Sequence, residues 1–214
     1  MKNLNRFYRY ILLVCILFPI SILNAQLANV EITEFKGKRD LVIVIIDKDS
    51  SMKYSVDCFA EPVTRLSDST KIGLMKTLLK YEFDTSICFW PVRKLHIMSN
   101  QLKMPQSEFY RVQVEALLFI NLLALGSDVF SYSPFPVLQL TSSELEIAND
   151  QKKISKVYSL YRKWIGKLKY SASNCFSHPP LEILGIKWFG MKMSPFKYTE
   201  LGQWSHKFDC ISIE

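Results

Sequence analysis

Glycine is scarce in this chain, with seven residues in 214, and they are dispersed. That excludes a collagen-like repeat and a glycine-serine linker, and it leaves no glycine-rich loop to cradle a phosphate. Histidine is scarcer still. His96, His178 and His206 are the whole supply of imidazole bases and ligands. No Gly-x-Ser-x-Gly elbow and no recognised cysteine-protease flank accompanies them. Charge is modest, with 22% charged residues against 49% apolar ones, which excludes a disordered chain. After residue 25 no apolar run is long enough to span a bilayer. No cofactor fingerprint and no nucleic-acid motif is present, so neither a cofactor nor a nucleic-acid partner is expected.

What is present begins with an export signal. Lys2, Arg6 and Arg9 form a basic start without an acid, and Ile11 to Leu23 form an apolar stretch broken by Pro19 and Ser21. Leu23-Asn24-Ala25 then sets a small residue before Gln26, an acceptable cleavage site. Bulky Val14 before Cys15 argues against lipid attachment there. The junction is similar in style to those of exported proteins of Gram-negative bacteria. Residues 1–25 are therefore expected to be a secretory signal peptide, and 26–214 a single globular domain in the periplasm, on the cell surface or secreted. Without Lys2, Arg6 and Arg9, the 27 basic residues become 24 against 20 acidic ones, a balance of +4. Part of the high pI belongs to the signal, and the remainder does not argue for nucleic acid.

The spacing of apolar residues predicts both strands and helices. Gln26 to Phe35 reads as a short strand. Leu41 to Ile46 is an unbroken apolar run bounded by Asp40 and Asp47, the signature of a buried strand. Thr70 to Tyr81 carries Ile72, Met75, Leu78 and Leu79 at helical spacing. Thr85 to Trp90 reads as a strand stopped by Pro91. Phe109 to Leu125 is apolar nearly all round and reads as one buried helix ended by Gly126. Val137 to Leu140 reads as a brief strand. Ile154, Val157, Tyr158, Tyr161, Trp164, Ile165 and Leu168 mark a helix that starts at Asn149 or Asp150 and ends near Tyr170. Leu181 to Phe189 reads as a strand weakened by Gly185. The expected class is α+β, a helix-predominant single globular domain with a few short strands.

Four groups of residues invite a chemical reading. Asp47-Lys48-Asp49-Ser50-Ser51 follows the buried strand and resembles the metal-ion motif of von Willebrand factor A domains over about ten residues. Asp47 and Ser51 match it, Asp49 stands for its first serine and Ser50 for its glycine. The plainer reading is a solvated turn. An EF-hand fits worse, because Met52 stands where that loop needs glycine and Cys58 where it needs glutamate.

The cysteines left after the signal are Cys58, Cys88, Cys175 and Cys210, an even number in an oxidising compartment. Three pairings are open if two disulfides form. Cys175 with Cys210 is the favoured pair, and Cys88, set between Ile87 and Phe89, also reads as a plain buried residue. A Cys175–Cys210 bridge contributes about 3–4 kcal/mol on a chain-entropy argument. Cys175, His178, His206 and Cys210 also form two short-spaced pairs of the kind that bind Zn²⁺.

Glu115 stands out among the acids. It lies in the apolar run, where burial raises a carboxyl pKa unless the side chain reaches a polar stripe. Lastly, 152–169 holds Lys152, Lys153, Lys156, Arg162, Lys163, Lys167 and Lys169 with no acid, and Tyr158, Tyr161 and Trp164 among them. Such a helix lies on an anionic membrane surface, or carries a solvated basic face over a core stripe.

The leading functional expectation is a non-enzymatic periplasmic or cell-surface module that binds an envelope or extracellular macromolecule. The alternatives are a hydrolase or metal-dependent enzyme using the Cys175 to Cys210 quartet or the acids Asp47 and Asp49, and a peripheral membrane binder using the basic helix.

Overall fold

The computed structural model describes residues 27–47, 50–54, 66–92, 105–126, 129, 135–147, 150–168, 179–183 and 185–191. The first described elements form a hairpin, β1 (Leu27–Phe35) and β2 (Lys38–Asp47), paired from Leu27↔Ile46 to Phe35↔Lys38. The two-residue turn between them has Lys36 at φ 49° and Gly37 at φ 74°, the left-handed pair that matches strand twist in tight hairpins. β3 (Ser50–Tyr54) returns along the other side of β2, from Asp47↔Ser50 to Ile43↔Tyr54. Leu41, Ile43 and Ile45 face the core with Val30 and Tyr54. Val42 and Val44, on the opposite face, are buried as well. That is why the run is apolar without alternation.

α1 (Asp68–Leu78) begins at Ser67, whose Oγ accepts the Thr70 N–H at 3.2 Å, and continues as a single 3₁₀ turn, Leu79–Tyr81. β4 (Ile87–Pro91) pairs antiparallel with β5 (Phe109–Arg111). α2 (Val112–Leu125) follows directly and is buried over most of its circumference. The predicted helix from Phe109 is thus shortened by one turn. Arg111 is extended, at φ −108° and ψ 150°, and the first helical amides are already committed. Val112 N–H donates to Ser86 O at 3.0 Å and Gln113 N–H to Asp84 O at 3.0 Å. The chain leading into β4 therefore caps the helix that follows β5.

β6 (Leu138–Leu140), β7 (Glu182–Ile183) and β8 (Ile186–Trp188) form the third sheet, in the order β6-β8-β7. The single strand predicted from Leu181 to Phe189 is two strands that turn near Gly185, at φ 77°. α3 (Gln151–Lys167) starts at Asp150, whose Oδ1 accepts the Lys153 N–H at 3.0 Å.

Helices and strands are both present, but the expected predominance of helix is wrong. Three helices share the described residues with eight strands in three sheets. The missed strands are two to five residues long, too short to show a period of their own, and they exist through pairing with distant segments. Every strand pairing among the described residues is antiparallel. One buried cluster draws on all three helices and all three sheets, with Trp188, Tyr158, Tyr161 and Phe119 its largest fully buried side chains.

Candidate functional site

Among the described residues, two places concentrate charge or titratable groups. One is inside the fold and the other is on its surface.

The interior place is built on Glu115, which the first turn of α2 carries into the core with no exposed area. Its Oε2 accepts the Leu41 N–H of β2 at 2.8 Å and the Cys88 thiol of β4 at 3.5 Å. Its Oε1 accepts the Tyr110 hydroxyl of β5 at 3.3 Å. Leu41 lies beyond the last β2–β3 pair, Ile43↔Tyr54, so the carboxyl takes a strand amide outside that ladder. Beside it, buried Asp40 accepts the Phe89 N–H at 2.7 Å through Oδ1. Burial is the main cause that pushes the Glu115 carboxyl up to about 8, and the negative charge of Asp40 adds to it. The Leu41, Cys88 and Tyr110 hydrogen bonds work in the opposite direction. Burial, then the Glu115 and Asp40 carboxyls, raise the Cys88 thiol, and burial followed by Glu115 raises the Tyr110 phenol.

Asp40, Cys88 and Glu115 bring one potential ligand atom each within 4.8 Å of one another. A metal site, however, needs ligand atoms free to face the ion, and a thiolate where sulfur is used. Here Glu115 Oε2 is taken by an amide and a thiol, Asp40 Oδ1 is taken by an amide, and the thiol is held in its protonated form. The same burial makes Cys88 a poor nucleophile. The group is suited to holding a proton and tying backbone together.

Next to it, Arg39 bridges Asp84, at 2.8 Å, and the more exposed Glu34, at 2.9 Å. Asp84 Oδ1 also accepts the Ser86 N–H at 3.0 Å, which shapes the segment whose carbonyls cap α2.

The surface place is the outer face of α3. Ile154, Val157, Tyr158, Tyr161, Trp164 and Ile165 are buried. Tyr158 donates to Gln113 O at 2.6 Å and Tyr161 to Asn121 Oδ1 at 2.8 Å, so both rings are anchored to α2. Lys152, Lys156, Lys163 and Lys167 are exposed on the opposite side. At 3.6 residues per turn these four fall within about 60° of arc and span about 22 Å along the axis. Ser159 and Gly166 lie between them and keep the stripe low. Lys153 and Arg162 flank it and are paired with Asp150 and Glu82. None of the four lysines has an ion-pair partner among the described residues.

The structure therefore keeps some of the residues that sequence pointed to. Glu115 is buried rather than turned to a polar stripe, and Cys88 is a free buried thiol. Asp47 closes β2 and Ser51 lies in the antiparallel strand β3, paired with Ile46, so the two residues that match the metal-ion motif belong to two paired strands. Asp49, Cys58, Cys175, His178, His206 and Cys210 lie outside the described residues, as does the segment 1–25. Asp40 and Tyr110 were missed as site residues. The one hint was that Asp40 is an acid set directly against an apolar strand.

No helix among the described residues is long and apolar enough to cross a membrane. Compared with known proteins, the chain matches no family model, no curated sequence and no solved structure.

Proposed function

We propose that this is an exported, non-enzymatic module that docks on an anionic macromolecule of the envelope or the extracellular surroundings through the outer face of α3. The observation that carries the reading is the stripe of Lys152, Lys156, Lys163 and Lys167, four exposed cations on one side of one helix with no acid on that helix. A line of like charges costs stability through self-repulsion, and a polyanion laid along it relieves that cost. The tyrosines and the tryptophan of this helix are spent on the core, so the contact is one of charge without inserted aromatics. That separates it from an interfacial membrane helix, which buries its apolar face in lipid.

The test is binding of the full chain to heparin, as a soluble polyanion probe, at increasing salt. Binding weakens steeply with salt, because exposed charges are screened over about 8–10 Å at physiological ionic strength. Reversal of all four lysines (K152E, K156E, K163E and K167E) removes binding by at least tenfold and leaves the thermal midpoint nearly unchanged. Binding that survives the reversal overturns the reading. Equally tight binding of the reversed protein to anionic vesicles would place the contact elsewhere on the molecule.

A further inference from the structure

Among the described residues, Glu115 joins two sheets that no backbone ladder joins. From the first turn of α2 it holds a β2 amide, a β4 thiol and a β5 hydroxyl at once. β2 belongs to the first sheet, whereas β4 and β5 form the second. Asp40 adds a parallel tie, from β2 to the Phe89 amide of β4. Among the described residues, the titratable groups that face Glu115 are Asp40 from β2, Cys88 from β4 and Tyr110 from β5.

The two protonation states of this carboxyl differ sharply. As a neutral acid it keeps an acceptor for the Leu41 N–H, and its own O–H turns to the Tyr110 oxygen, since a phenol both donates and accepts. As a carboxylate it keeps three donors but sets a full charge beside Asp40 in an apolar interior. The ionised form is relieved when water reaches it, and water reaches it when β4 and β5, with the start of α2, move off β2.

We propose that Glu115 is a proton-operated clasp: its neutral carboxyl fastens the β4–β5 pair and the start of α2 to β2, and its ionisation releases that unit from β2. This is a device of the interior, independent of the docking face on α3. Burial places its switching near pH 8, above the ordinary carboxyl value of 4.5, so release belongs to the neutral-to-alkaline side.

Hydrogen exchange of the full chain tests it, read as protection factors corrected for the intrinsic rise of exchange with pH. Protection of the Leu41 and Phe89 amides falls about tenfold per pH unit above pH 6 and levels short of pH 8, where the opened form takes over, the dependence expected of one proton linked to opening. The Leu140 and Ile147 amides, bonded within the third sheet region, do not follow that slope. Glu115→Gln keeps an acceptor without a proton to lose, and it flattens the Leu41 and Phe89 curves. A pH-independent protection in the wild-type protein, or an unchanged slope in Glu115→Gln, overturns the proposal. Should that variant fail to fold, the wild-type Glu115 carboxyl carbon decides by NMR. Titration above pH 6 in step with loss of Leu41 protection supports the clasp, and titration near 4.5 overturns it.

Discussion

At the scale of single residues, polar atoms in this core each do a definable job. Tyr161 and Asn121 have no exposed area, and the Tyr161 hydroxyl donates to Asn121 Oδ1 at 2.8 Å. Tyr161→Phe keeps the ring and its packing against Trp164, whose centroid is 6.2 Å away, and removes a hydroxyl that donates to Asn121 and is also hydrogen-bonded to buried Trp188. The expected loss is about 1–3 kcal/mol, the range for buried partners left without their hydrogen bond. Urea unfolding checks it: the midpoint drops while the slope is unchanged, because the surface exposed on unfolding is the same. Glu115 was legible in sequence because an acid amid apolar helix positions has only two fates, a polar stripe or burial. Its partners were not, since Leu41 is 74 residues away and Cys88 is 27. Contacts over such distances are set by strand pairing, and nothing local to either residue encodes them.

At the scale of elements, backbone conformation separates glycines that are needed from glycines that are incidental. Gly126 ends α2 at φ 58° and ψ −134°, a region closed to side chains with a Cβ. Gly73 is exposed in the middle of α1, and a Cβ there meets nothing within 4 Å. Gly126→Ala is expected to cost about 1–3 kcal/mol. Gly73→Ala is expected to gain about 0.5–1 kcal/mol, by restricting the unfolded chain and favouring helix. Opposite shifts of the thermal midpoint check both, and equal shifts would mean that helix propensity alone governs these sites. Elements with a long period or a long apolar run were legible. β1, β2, α1 and α3 lie within a few residues of their sequence expectation, because each holds enough turns or alternations to declare itself. β5 and the β7–β8 turn were not. Phe109 to Arg111 continues the apolar pattern of α2, and the strand exists because β4 stands ready to pair with it.

At the scale of the whole molecule, the clasp predicts how stability responds to pH. In the folded protein the Glu115 carboxyl holds its proton up to about pH 8, whereas in the unfolded chain it lets go near 4.5. Between those values the folded state carries a proton that the unfolded state has lost, so stability falls as pH rises. The contribution is complete below about 4.5 and gone above about 8. If the fold stayed closed throughout, the loss across that window would reach about 5 kcal/mol, at 1.36 kcal/mol for each pH unit. A molecule that opens its β4–β5 pair has a cheaper way out. Once ionisation costs more than detaching that pair, the opened form takes over and the global loss stops growing. Unfolding free energies measured by denaturant from pH 4 to 9 are therefore expected to decline and then level at a loss below about 5 kcal/mol, with the levelling at the pH where Leu41 exchange becomes fastest relative to its intrinsic rate. Glu115→Gln is expected to lie above the wild-type curve on the alkaline side and to meet it on the acid side. A wild-type curve that keeps its full slope to pH 8 would mean that the interior stays shut around the charge and that Glu115 taxes the fold without opening it.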